Sequence, residues 1–294
     1  MTSRLTFVHA LSPLHAGIGQ GIGVIDLPIA REKATGLPFL PGSSLKGTLR
    51  SLCNAEDRNS IFGPETSEID PDSNYASSVQ FSDQRLLLLP VRSLAGTFAW
   101  VTSPYVLYRL LRDMQDIHAK KLPYAIPSVK DKTTCYIVND ASDIVADTST
   151  KQVYLEDLDL VAEASPEIAQ YATWLGQQLF PLDEIGRQML MGRFCLVHDD
   201  IFSFLSETAT EISARIKLLE DSKTVKKGGL WYEESLPVET VLSGVVLATP
   251  TRASGKTETQ ILDFMKVITD KAVQLGGKTT VGRGICRILL GKEV

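Results

Sequence analysis

A chain of 294 residues that is 44% hydrophobic has enough apolar material for a large core, as one elaborate domain or two small ones. Its formal net charge is −5 and its pI about 5.5, a balance that argues against a freely acting nucleic-acid binder but allows a local basic strip. No apolar run approaches the ~18–20 residues of a membrane span, and the start, Met1-Thr2-Ser3-Arg4-Leu5, has no signal-like apolar core, so neither a membrane segment nor a leader is expected.

Residues 4–11 alternate as a strand, with Leu5, Phe7, His9 and Leu11 on one face. Next comes LHAGIGQGIGVID, residues 14–26, in which Gly17, Gly19, Gly21 and Gly23 fall at every second position between His15 and Asp26. Such a run weakens a strand, so it points to a flexible loop, a close approach to another backbone, or both. In the following PGSSLKGTLRSLC, Ser43 or Ser44 is the expected N-cap of a helix that buries Leu45, Leu49 and Leu52. Free N–H groups, two hydroxyls, Lys46 and Arg50 at its start are suitable parts for holding a phosphate, and equally for capping and solvating a helix.

Residues 57–78 read as an exposed loop, 79–90 as a strand and 104–118 as a short helix; 165–206 carry helical character. Ile212–Leu219 and Thr240–Ala248 read as two strands around a polar insertion whose basic tip spans Lys223 to Lys227. The spacing predicts a helix over 259–275, then the glycine loop 276–284 and a last strand at 285–290. The order is compatible with a β-α-β-β-α-β core carrying long insertions, an α+β fold.

Several chemistries fail on spacing. The first glycine of a P-loop would fall at Pro250 or Ala272, and the third glycine of a dinucleotide fingerprint at Ile22. No GxSxG elbow or HExxH occurs. Cys53, Cys135, Cys195 and Cys286 form no CxxC pair and have no zinc spacing with His9, His15, His118 or His198, so they are expected to be buried reduced thiols.

The block from His15 through Gly23, with Ile25-Asp26-Leu27-Pro28, Arg31-Glu32, Thr35-Gly36 and Pro41-Gly42-Ser43-Ser44-Leu45-Lys46-Gly47, resembles the N-terminal signature of RAMP-superfamily CRISPR proteins. More narrowly it resembles the backbone nuclease subunits of type III-B (Cmr) effector complexes. PVRSLAGTFAWVT (90–102), LWYEESLP (230–237) and the glycine-rich 276–284 agree, so the resemblance runs through nearly the whole chain in order.

The resemblance implies a single RAMP domain over 1–294. Its palm would be ferredoxin-like (RRM-like), with insertions at about 57–78 and 120–206 and a β-hairpin thumb at about 211–248. It implies copies stacked in a helical filament along a guide RNA, beside other Cmr subunits, in the cytoplasm. Each copy would cut target RNA where a thumb pushes a nucleotide out of the duplex. Asp26 would be the essential cleavage residue, with His15, Glu233 and Glu234 further candidates near the cut. Ser43, Ser44, Lys46, Arg50, Lys278, Gly282, Arg283, Gly284 and the opening glycines Gly17, Gly19, Gly21 and Gly23 would meet RNA. Trp100 and Trp231 suit a core or a subunit interface.

RNA supplies its own nucleophile, the 2′-OH. The expected products are a 2′,3′-cyclic phosphate (or its opened form) and a 5′-OH. An aspartate of ordinary pKa, about 3.9, is a weak base at pH 7. Asp26 therefore has a raised pKa, orients the hydroxyl, or holds a divalent cation; carboxylate beside RNA phosphate favours Mg²⁺ or Mn²⁺. The acidic net charge fits if base pairing by the guide reads sequence and the protein offers only a local cationic groove. The competing reading is a guide-RNA scaffold without cleavage.

Overall fold

The computed structural model of the chain describes residues 1–21, 23–64, 76–117, 125–251 and 254–291. Residues 65–75 of the loop expected at 57–78, His118, and residues 120–124 of the insertion expected at 120–206 lie outside the described residues.

The chain opens with β1 (Thr2–Ala10) and, after a long irregular segment, β2 (Phe39–Leu40), α1 (Gly42–Leu52), α2 (Ala55–Phe62), β3 (Val79–Phe81), β4 (Gln84–Arg92) and β5 (Phe98–Thr102). Then come α3 (Pro104–Asp116), β6 (Thr134–Ile137), β7 (Gln152–Leu155), β8 (Leu158–Ala164), α4 (Pro166–Leu179), α5 (Glu184–Arg193), β9 (Phe194–Leu196) and α6 (Asp199–Thr208). The last part holds β10 (Glu211–Leu218), β11 (Val225–Ser235), β12 (Val241–Ala248), α7 (Glu258–Ile268), β13 (Val273–Gln274) and β14 (Ile285–Leu290).

Most strands join one mixed sheet in the order β13-β14-β1-β12-β4-β5-β9-β6-β8-β7. Its first half is antiparallel: β1 pairs with β14 on one side and β12 on the other, and β12 pairs with β4. The parallel pairs β5/β9 and β6/β8 lie in its other half. In β1, Leu5 through Ala10 are all buried, so the sheet there is covered on both faces. Phe7 meets Trp174 edge-on and His9 meets Phe180 the same way, which seats α4 and its C-cap on one of them. Helix α4 thus forms part of the core around β1.

Local chemistry sets the helix starts. Ser103 and Ser165 accept from the N–H groups of Val106 and Ile168, and Thr257 forms a capping box with Gln260. Helix α1 departs from expectation: it starts at Gly42 behind Pro41, and neither Ser43 nor Ser44 caps it. The Gly42 N–H instead donates to Asp83 Oδ1 at 2.8 Å, so a carboxylate from the bend between β3 and β4 sits at the positive end of the helix. That bend also splits the single strand expected at 79–90.

Other boundaries move. Residues 57–62 of the expected loop belong to helix α2, because the Asn54 side chain accepts from Asp57 N and caps its first turn. Helix α7 stops at Ile268, since Val273 and Gln274 pair with Cys286 and Ile285 as a sheet edge. The hairpin expected at 211–248 closes within 211–235: β10 and β11 make their own two-stranded sheet, whereas β12 is a central strand of the main sheet beside β1. The four cysteines are buried and unpaired, and burial pushes the Cys286 thiol up to about 12.

Candidate active site on the glycine loop

The glycine segment runs out and back between two other backbones. On the outward limb, Leu14 exchanges both backbone hydrogen bonds with Leu236 at 2.9 Å, and Gly277 N donates to His15 O at 2.9 Å. The limbs then join each other, with Ala30 N donating to Ala16 O at 2.8 Å and Ile18 N to Pro28 O at 3.3 Å. On the return limb Leu27 N donates to Tyr232 O and Glu234 N to Leu27 O, each at 3.0 Å, which adds the segment as a short strand beside β11. The loop is therefore stitched to the hairpin base on one side and to the C-terminal glycine loop on the other.

His15 is the pin of this junction. Its ring is 6% exposed, and its Nδ1–H donates to Glu234 O at 2.6 Å. A Cβ on Gly17 would collide with Nε2, and one on Gly277 would touch Cδ2. Those two glycines make room for an imidazole, which explains part of the opening run. Gly284, buried with φ +78°, lies too close to Leu275 O to carry any side chain. Gly21 packs against Ile25 O and Pro28 and donates to Asp26 O at 2.8 Å, whereas Gly19, Gly23 and Gly282 face open space.

The two glutamates expected near the cut are buried ion-pair posts. Consecutive strand residues point to opposite faces, so they cannot both face one substrate. Glu233 accepts from Trp231 Nε1 at 2.8 Å and Arg215 Nε at 3.2 Å and pairs with Lys278 Nζ at 2.8 Å. Burial pushes its carboxyl upward, but these donors outweigh it and hold the pKa at about 2. Glu234 is 3% exposed and accepts from Arg31 Nη2 at 2.6 Å, Thr210 Oγ1 at 3.0 Å and Ile29 N at 3.1 Å. Arg31 also donates to Gly36 O and Ser206 O, tying loop, hairpin and α6 together. A carboxylate with pKa about 2 is a poor proton acceptor at neutral pH.

Asp26 stands apart. It is exposed; its Oδ2 accepts from Tyr232 N at 2.7 Å, and Oδ1 has no partner among the described residues. It lines a cleft of ≈ 460 Å³ with Gln20, Gly21, Leu230, Trp231 and Lys278. Hydrogen bonding fixes the carboxylate direction while leaving one oxygen for a ligand. Lys278, with 31% of its side chain exposed, puts positive charge on the same wall.

Of the other residues expected to meet RNA, Ser43 is exposed, and Ser44 and Lys46 are half-buried on α1. Burial, then the neighbouring Arg50 charge, pushes the Lys46 pKa down. Arg50 donates to Arg58 O, Gly63 O and Asn59 Oδ1, which locks α1 to α2. Arg283 is 12% exposed and holds Glu211 and Ser213 at the hairpin base. Both arginines tie elements of the chain together. Trp100 lies in the core, and its Nε1 donates to Glu239 O at 2.9 Å. The Tyr232 N–H on Asp26 was not legible, because backbone groups carry no sequence signal; the Trp231–Glu233 contact was, as i and i+2 share a strand face. Among the described residues no three His, Cys, Asp or Glu groups stand together as a metal cluster, and no helix is long and apolar enough to cross a membrane.

A mixed sheet with an antiparallel half, a side hairpin and two glycine loops meeting at one carboxylate define a class: the RAMP superfamily model matches residues 7–287, and the chain belongs to that family. Within it, the chain is 35% identical over 304 residues to the CRISPR system Cmr endoribonuclease Cmr4 of Pyrococcus furiosus, spanning 100% of this chain and 97% of that protein. The crystal structure of oligomeric Cmr4 from the same organism superposes with a TM-score of 0.73 at 27% identity, over 99% of this chain and 98% of that one. A chain of the type III-B Cmr-beta complex bound to cognate target RNA shares the fold alone, with a TM-score of 0.70 at 21% identity over 99% and 97% of the two chains.

Proposed function

We propose that the chain is a backbone subunit of a type III-B CRISPR effector complex, acting in the cytoplasm, that binds guide RNA and cleaves complementary target RNA at Asp26. Its copies stack as a helical filament with other Cmr subunits. Supporting the ferredoxin-like palm is the strand order β14-β1-β12-β4, which with α1 and α7 follows β-α-β-β-α-β; β10–β11 is the thumb. The family match and the similarity to Cmr4 support the role. The observation that carries the site is Asp26, the exposed carboxylate at a cleft where glycine loop, hairpin base and Lys278 meet.

In the reaction the 2′-oxygen attacks the adjacent phosphorus and the P–O5′ bond breaks. The 2′ proton leaves, and the 5′-oxygen gains one. Asp26 Oδ1 orients the 2′-OH or holds a hard divalent cation, and a lone exposed carboxylate oxygen fits Mg²⁺ or Mn²⁺ with phosphate and water as the remaining ligands. Such an ion would stabilise charge on the phosphoryl oxygens. Lys278 adds positive charge beside it.

The test uses the assembled complex with guide RNA and a labelled complementary target, comparing wild type and Asp26→Ala with and without Mg²⁺. The expected result is unchanged binding and lost cleavage in the variant. Cleavage at the wild-type rate would remove Asp26 from the chemistry and leave the scaffold reading.

A further inference from the structure

Helix α5 has one side turned to the fold and one left bare. Leu190 is buried, and a Cβ on Gly186 would collide with the Phe180 ring, so close packing fixes the inner face. Glu184, Arg187, Gln188 and Met191 line a groove of ≈ 350 Å³ against α4. The opposite flank presents Ile185 and Met189 one turn apart, 72% and 37% exposed, with Leu182 at the helix start 98% exposed. One turn past Met189 on that flank, Arg193 donates Nε to Gly96 O at 2.8 Å, which brings the 94–96 loop and its exposed Leu94 to the other end of the row. Single exposed apolar side chains are ordinary; four along a row of ~15 Å are a patch.

We infer that this flank of α5 is a docking ledge for an amphipathic helix with basic flanks, carried by a different subunit of the effector complex. The inference rests on the reading of the chain as a subunit of such a complex. A straight apolar row along a helix axis is what another helix covers, with about 8–10 Å between the two axes. The charges select the partner. Asp183 and Glu184 are exposed at the start of the row, and Asp143 sits half exposed against Gly192 at its end. Arg187 and Arg193 are less exposed than Glu184 and Asp143, the carboxylates they pair, so the outward member of each pair is the acid. The rim therefore offers carboxylate oxygens to lysine or arginine on the flanks of an incoming helix.

A helix of a second copy does not fit the ledge. α5 laid on α5 sets Asp183, Glu184 and Asp143 against their own kind. Among the described residues, α1, α6 and α7 each expose one large apolar side chain, Leu52, Phe204 and Val267, and α3 exposes Tyr105 and Tyr108; none of them carries an apolar row with basic residues on both sides. Ile212, Ile216 and Leu230 of the β10–β11 hairpin are exposed too, near Lys217, Lys226 and Lys227, so the hairpin of another copy is the rival occupant.

All four native thiols are buried and unpaired, so Leu182→Cys supplies a single readily reached thiol. Its maleimide labelling rate is measured with copies of this chain alone on guide RNA and in the complete complex. Labelling is expected to stay fast in the first and to slow by roughly tenfold or more in the second, as for a thiol reached only when its cover opens. A photo-crosslinker on that thiol is expected to capture a helical segment of another subunit, with lysine or arginine beside its apolar residues. Ile185→Lys, at an exposed position, is expected to keep the wild-type melting temperature and guide binding and to release that subunit, whereas Ile185→Leu retains it. Equal labelling in both states means that nothing covers the ledge and overturns the inference. Slow labelling with copies alone overturns it in favour of the hairpin of another copy, and capture of an acidic or non-helical segment refutes the stated chemistry. A chain that joins no complex with guide RNA removes the subunit reading, and the inference with it.

Discussion

Replacing Glu233 by glutamine removes a charge that the hairpin base is built around. The carboxyl is 5% exposed and held at about 2 against an ordinary 4.5 by Lys278, Trp231 and Arg215. That depression corresponds to about 3 kcal/mol of folding stability at neutral pH. In the variant Lys278 and Arg215 are left unpaired, but their side chains are 31% and 36% exposed. Water re-solvates them, so the loss stays below the ~3–5 kcal/mol of a fully buried broken pair, and about 2–3 kcal/mol is expected. A carboxyl whose folded pKa lies below its unfolded one stabilises above the unfolded value, and the contribution disappears as pH falls through the folded value. The gap between wild type and Glu233→Gln should therefore be constant above about pH 5 and fall to less than about half at pH 3. Urea denaturation at pH 7 and pH 3, read by tryptophan fluorescence, measures both. A gap of equal size at the two pH values, or none at pH 7, refutes Glu233 as the charged post of the hairpin.

Other outcomes follow from the same contacts. Gly17→Ala pushes a methyl into the His15 ring and should cost about 1–3 kcal/mol; His15→Ala in the same chain should recover part of it, a coupling that thermal unfolding of the four-member cycle reads directly. Arg50→Ala strips the carbonyls of Arg58 and Gly63 of their donor and should lower stability by about 1–3 kcal/mol, while the salt slope of RNA binding stays that of wild type. The native chain should react with a thiol reagent only as fast as it opens, because all four thiols are buried.

Two strands of the antiparallel half-sheet were legible because their signals are local. Alternation over 4–11 and the last strand at 285–290 translated into β1 and β14. Boundaries failed where a distant partner decided them. Asp83 took the capping role expected of Ser43 or Ser44, and pairing with β14 ended α7 early. The second strand of the expected hairpin joined β1 instead, because the apolar residues of β12 are buried in the main sheet.

The site divides along the same line. Chain order by itself determined that Asp26 lies on a glycine-rich loop, that Glu233 and Glu234 are adjacent, and that a second glycine loop precedes the last strand, since these are properties of neighbouring residues. Only the tertiary structure decided which charges are available. It spent Glu233 on Lys278 and Arg215, Glu234 on Arg31, Arg283 on Glu211 and His15 on a backbone carbonyl, and left Asp26 Oδ1 open. The physical reason is that a charge buried in a fold must find a partner, and those partners come from more than 15 residues away in sequence. A residue's chemistry is written in its type, but its freedom to act depends on what the fold packs against it.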